Sequence, residues 1–268
     1  WDAGMDMYIY GKLGNLIMTK EGINVLMTNL TGKVPPILQR LDYIRFNGEA
    51  AGYLHDLTLT GLFYTGAGMV KTDVMMSIDE QSMSRTYSGS VASADLNLGK
   101  LLNQEKKFGK VDFNVELKGF NYKNRYPESY IKGIISSFEY SQYQYENIML
   151  DGVYKDGGFN GRLSMDDANG SVQIDGNFNV AKTIPDFNLK ASVKNLRPHD
   201  LHLSDKYENA SISLGLTADF TGKSIDDMNG RISLDSLQLN APDERGCFLD
   251  NLTITAGQDR KSTRLNSS

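Results

Sequence analysis

The sequence predicts an all-β fold, an elongated, curved and mainly antiparallel sheet, and three observations carry that expectation. Runs that alternate apolar and polar residues recur along the chain, and a period of two places successive side chains on opposite faces of a strand. Glycine-bearing turn signals punctuate those runs, with glycine abundant at 26 residues and proline scarce at 6, a balance that suits hairpins rather than a disordered linker. Segments with a helical period are few and short.

Taken in order, strand-like runs are expected at 57–64 (LTLTGLFY), 70–79, 111–119 (VDFNVELKG), 131–140 and 148–154. They continue at 159–165 (FNGRLSM), 172–180 (VQIDGNFNV), 187–193 (FNLKASV), 212–220 (ISLGLTADF) and 232–239. Between them Asp156-Gly157-Gly158, Asn169-Gly170 and Asn229-Gly230 can each supply the positive φ of a tight hairpin. Two helices are expected. Over 34–46, Ile37, Leu38, Leu41 and Ile44 fall on one helical face behind Pro35 and Pro36. Over 98–107, Leu98, Leu101 and Leu102, with Phe108 beyond, make an amphipathic turn or two stopped by Gly109. Neither could cover a sheet of roughly sixteen strands, which would run roughly 75 Å at about 4.8 Å per strand.

Alternation also assigns the faces. Phe113, Val115 and Leu117 fall together on 111–119, and Phe159 and Leu163 on 159–165. Val172, Ile174 and Phe178 share a face, as do Phe187, Leu189 and Val193, and Ile212, Leu214 and Leu216. Asp112, Glu116, Lys118, Asp175, Lys190 and Lys194 are expected opposite them. A one-residue slip would invert any of these strands.

Length and charge narrow the function. The 268 residues suffice for one large all-β unit. A net charge of -5 without a Lys/Arg stripe argues against nucleic acid as a partner. Cys247 is the single cysteine, so neither a disulfide framework nor a Cys-based metal site is expected. The chain opens on Trp1 in mid-pattern and reads as part of a longer protein. Residues 1–257 are expected to form one extended, repeat-like sheet. The last stretch, 258–268 (QDRKSTRLNSS), drops the alternation, closely resembles translated sequencing-adaptor sequence and is expected to be a non-native tail.

Catalytic and metal chemistry find little support. His199 and His202 stand at the i, i+3 spacing of a metal pair, but no third ligand accompanies them, and a polar loop after Pro198 is the better reading. Asp166-Asp167 and Asp226-Asp227 both lead into Asn-Gly pairs, where Asp stabilises a turn. Tyr140, Tyr143 and Tyr145 with Phe138 could form an aromatic platform, yet Tyr is also a good strand residue. No nucleophile motif or phosphate-binding glycine loop is present. The expectation is a protein that is not an enzyme and takes no cofactor or metal.

The run 145–203 resembles the AsmA/TamB family of envelope proteins. The features that carry the resemblance begin with Asn147-Ile148, Asp151-Gly152 and Phe159-x-Gly161-x-Leu163. Asp167-x-Asn169-Gly170, Gly176, Pro185-x-Phe187-x-Leu189 and Val193-x-Asn195-Leu196 follow. Upstream, 87–102 (YSGSVASADLNLGKLL) and 109–119 are similar to the same family's repeats, and the resemblance covers 48–257. It implies a long, taco-like sheet with an apolar groove that crosses the periplasm, shielding phospholipid acyl chains between inner and outer membranes and aiding outer-membrane protein assembly. It further implies an inner-membrane anchor N-terminal to this sequence and an outer-membrane barrel as docking partner. On this reading the apolar residues named above, from Phe113 to Leu216, line the groove. Two rivals share the alternation: an outer-membrane barrel, which would place aromatic girdles at its rims, and a parallel β-helix surface protein or polysaccharide-acting enzyme, which would need a fixed repeat length.

Overall fold

The computed structural model describes residues 8–53, 55–79, 81–82, 84–121, 128–206, 208–223, 227–241, 246–257 and 260–266. The fold is all-β, with strands paired antiparallel throughout the described residues. It divides into two compact units, Trp1–Gln144 and Tyr145–Ser268.

The first unit is a meander of hairpins. Its strands are β1 (Tyr8–Thr19), β2 (Tyr43–Tyr53), β3 (Asp56–Thr65), β4 (Gly68–Ile78), β5 (Arg85–Ala94), the short β6 (Leu96–Asn97), β7 (Phe108–Asn121) and β8 (Glu128–Tyr140). Each pairs with the next, except that β5 and β6 both pair with β7. Three helices sit at one end of these strands: α1 (Lys20–Thr31) and α2 (Pro36–Gln39) between β1 and β2, and α3 (Leu98–Leu102) before β7. Ile23 of α1 and Leu101 of α3 are buried against Leu41, Ile44, Ala67, Leu96 and Val111, which closes a small core over that end of the sheet. The Arg40 guanidinium donates to the Leu101 carbonyl and Lys100 Nζ lies 2.6 Å from Asp42 Oδ2, tying α3 to the chain that enters β2.

The helical expectations need three corrections. The sequence reading omits α1, although Thr19 caps its N-terminus, Gly32 ends it at φ 74° and Ile23 and Met27 recur at a helical interval. The helix expected over 34–46 is confined to Pro36–Gln39, because Ile44 and Phe46 pair with Thr65 and Phe63 and bury themselves in β2. Leu38, Leu41 and Ile44 do reach the common core, whereas Ile37 is exposed. The helix expected over 98–107 ends at Leu102, where Asn103 takes the left-handed conformation at φ 57°. Phe108 and Gly109 already belong to β7.

The second unit begins with β9, whose strand spans Tyr143–Lys155, and continues with β10 (Gly158–Asp167), β11 (Gly170–Asn179), β12 (Asp186–Leu196), β13 (Ser211–Thr221) and β14 (Asn229–Asn240). The short β15 (Cys247–Leu249) and β16 (Asn251–Gly257) both pair with β14, and β17 (Arg260–Asn266) pairs with β16. No helix belongs to this unit among the described residues. The stretch 260–266, part of the expected non-native tail, is thus a strand here.

The turns follow sequence chemistry unevenly. Asp156 (φ 50°) and Gly157 (φ 78°) make the two-residue turn expected between β9 and β10. Between β10 and β11 the turn residues are Ala168 and Asn169, and Gly170 is already paired with Asp167. Asn229 and Gly230 are no turn; they open β14, paired with Thr221 and Phe220. Asp226 lies outside the described residues.

Candidate functional site

The site is built by register. Residues directly opposite each other in an antiparallel pair project to the same face, so the pairings can be followed from strand to strand. In the second unit Leu163 stands opposite Leu150 on one side and Ile174 on the other. Ile174 continues to Ala191, Ala191 to Leu216, Leu216 to Leu234 and Leu234 to Leu252. A parallel row runs through Ile148, Met165, Val172, Val193, Leu214 and Leu237. A third is aromatic: Tyr154, Phe159, Phe178, Phe187 and Phe220 occupy the same level on five successive strands, with Phe187 and Phe220 stacked at 4.7 Å. Two apolar rows therefore cross the same face from β9 into β14, and the aromatic row crosses it from β9 to β13, where Phe220 stands opposite Gly230.

This face brings together Phe159, Leu163, Val172, Ile174, Phe178, Phe187, Leu189, Val193, Ile212, Leu214 and Leu216. Phe113, Val115 and Leu117 likewise share a face in the first unit, opposite Ile135, Gly133 and Ile131 of β8. Side chains on the other faces are those expected. Asp175 stands between Arg162 and Lys190, and Glu116 between Ser90 and Lys132.

Bulges keep the apolar face in phase where the sequence slips by one residue. Leu196 rather than Asn195 stands opposite Ile212, because β12 carries one extra residue between Val193 and Leu196, with Asn195 at φ 49°. In β14 Asp235 is the extra residue, so Leu237 follows Leu234 on the same face. In β8 Ser136 plays that part between Ile135 and Phe138. Sequence reasoning overlooked the far side of these slips, although an i, i+3 step between apolar residues in a strand is itself the mark of a bulge.

What covers the face differs from place to place. One end of the second unit is closed by the segment 197–206. Leu201 is fully buried, and Tyr145 Oη, itself buried, donates to the Leu201 carbonyl at 2.8 Å. The middle carries no such cover: the eleven residues named there are half-buried, as are Leu150, Met165, Leu234, Leu237, Leu252 and Ile254. Only fourteen apolar side chains are buried among the described residues, half of them in the helix-capped core of the first unit. A sheet whose apolar face were packed under helices would bury that face far more completely.

Glycines shape the same face. Gly152, Gly161 and Gly176 stand in register on β9, β10 and β11. A Cβ at Gly152 would lie 2.6 Å from Phe159 Cζ, so the Phe159 ring rests on the bare backbone there. Gly176, at φ 139°, brings the chain so close to β12 that a Cβ would meet Leu189 Cα at 2.6 Å. Kinked glycines and bulges are the means by which sheets bend.

From β10 to β13 the charged residues of the described strands stand on the opposite face or at the strand ends. Arg162 Nε lies 3.1 Å from both oxygens of Asp175, while Gln173 donates to it at 2.9 Å. Gln173 first and then Arg162 hold the Asp175 carboxyl below the usual carboxylate range. Asp42 is held low by the hydrogen bond from Lys100 and then by its charge, and Lys110 is raised by Asp95 in the same way.

The polar candidates resolve into structure. His199 stands beside Asp200 and Glu208 at 3.6 and 3.9 Å, and no group of three metal-ligating side chains exists among the described residues. Asp167 accepts from the backbone N–H of Asn169, which stabilises the turn, and from that of Glu146, which ties it to β9. Tyr140 packs with Phe108 and Phe138 in the first unit, so these aromatics serve strand packing. Cys247 is free and exposed. No helix among the described residues is long and apolar enough to cross a membrane. Comparison with family models, with curated proteins and with solved structures gave no match.

Proposed function

We propose that the apolar sheet faces shield phospholipid acyl chains, and that the chain is a segment of a lipid-conducting protein of the AsmA/TamB type. The reading rests on one observation: apolar rows that run uninterrupted across six strands of the second unit yet stay half-exposed, with charges kept to the other face. Such a surface exceeds what a soluble monomer ordinarily leaves open without a partner. A lipid chain in water has the matching need. At about 0.8 kcal/mol per buried methylene, a sixteen-carbon chain gains on the order of 10 kcal/mol from an apolar companion.

No chemistry is required of such a path, which agrees with a non-enzymatic role and no cofactor. The remaining parts of the proposal follow from the resemblance: a periplasmic location, an inner-membrane anchor in the longer protein, and an outer-membrane barrel as docking partner. The parallel β-helix alternative loses ground because the strands pair antiparallel. Mass spectrometry of a detergent-free native preparation tests the reading. Phospholipid carried through purification is the expected result, and a protein that emerges lipid-free and binds none on exposure to vesicles refutes it.

A further inference from the structure

The polar face of the first unit carries a recess that the lipid reading does not use. β5 presents only small side chains there, Ser88 and Ser90, around Gly89. Its neighbours present long ones. By register Ser88 stands between Met75 of β4 and Lys118 of β7, and Lys118 in turn opposes Tyr130 of β8. Ser90 stands between Asp73 and Glu116. The difference in side-chain length leaves a trough along β5 of about 550 Å³. Its walls are two strand spacings apart, roughly 10 Å.

The chemistry of that trough is specific. Its floor offers two hydroxyls that donate and accept, and its walls offer the Asp73 and Glu116 carboxylates and the Lys118 ammonium. Asp73 is oriented by the Thr60 hydroxyl, which donates to its Oδ1 at 3.0 Å. Tyr130, 39% exposed, supplies an aromatic ring at one end of the row. With Lys118 in the lining and Lys132 standing opposite Glu116, the two carboxylates leave no net positive charge to attract an anion such as a phosphate, and hydroxyls and charges set among the apolar atoms of Met75 and Tyr130 suit an amphipathic ligand better than a wholly apolar one. A pyranose has the complementary groups: a rim of hydroxyls that pair with carboxylates and serines, and a C–H face that stacks on an aromatic ring.

We propose that this trough binds a neutral oligosaccharide, across the sheet from the apolar face and independently of it. The test is saturation-transfer NMR and titration calorimetry on the whole chain, with cellotetraose and chitotetraose as probes at millimolar concentration. At least one probe is expected to bind. Tyr130→Ala should weaken it about tenfold, the scale of one aromatic contact, while Tyr130→Phe, which keeps the ring, should hold wild-type affinity. Ser88→Leu, which fills the floor, should abolish binding, with circular dichroism checking that each variant folds. Phe178→Asp, on the apolar face of the other unit, should leave sugar binding unchanged and so separates this site from the lipid reading. If neither probe binds, or if folded Tyr130→Ala and Ser88→Leu proteins bind as well as the parent, the proposal is overturned.

Discussion

Leu214→Asp tests the lipid path most sharply. Leu214 stands between Val193 and Leu237 across the sheet and between Ile212 and Leu216 along its own strand. A carboxylate placed there has only apolar side chains as its cross-strand neighbours. The parent side chain is only half-buried, so in the empty protein the new carboxylate can reach water and the sheet is expected to fold. With an acyl chain lying across the strands, the same carboxylate loses its water, at a cost of several kcal/mol. One strand spacing spans about four methylenes, whose shielding contributes roughly 3 kcal/mol. Losing that alone lowers occupancy by about a hundredfold. The assay is photo-crosslinking of lipid to the purified protein, with lipid mass spectrometry alongside and circular dichroism and protease resistance as fold controls. Acidification should restore lipid, because neutralising the carboxyl removes the desolvation penalty. Lys190→Asp, on the opposite face, should behave as the parent. A folded Leu214→Asp protein with undiminished lipid would refute the conduit, and one that unfolds would identify Leu214 as ordinary core.

Three further outcomes are expected. Gly176→Val should lower stability by about 3 kcal/mol or more, read by thermal unfolding, because a side chain at φ 139° would strike the backbone of β12; a change within experimental error would contradict the close approach. Tyr145→Phe should cost about 1–2 kcal/mol by leaving the Leu201 carbonyl without its donor, and amide exchange across 197–206 should quicken. The Asp42 tie to Lys100 should fail in acid: its folded pKa is depressed, so its contribution is full above the unfolded value of about 3.9 and is lost as pH falls through the lower, folded value. Carboxyl NMR should show the Asp42 titration moving up toward the ordinary range in Lys100→Met.

The sequence by itself determined the class of fold and the two faces. Alternation is a local signal, and in a hairpin a short turn fixes register, so Phe159, Phe178 and Phe187 could be assigned to one face without coordinates. The Asp156-Gly157 turn was legible for the same reason, since its positive φ values are a property of the residues themselves. Tertiary structure alone decided the competition between periods. Residues 37–44 satisfy a helical period, but Ile44 and Phe46 gain more by pairing with β3, where Ile44 closes the core with α1 and α3 and Phe46 packs on Phe63, than a helix of three to four turns could offer. It also decided where the alternation slips. Asp235, Ser136 and the extra residue before Leu196 are accommodated only because neighbouring strands hold the apolar side chains to one face. Finally, the trough over Ser88 and Ser90 was invisible in the sequence. It depends on which long side chains β4, β7 and β8 bring alongside two small ones, and that is a matter of pairing rather than of any one strand.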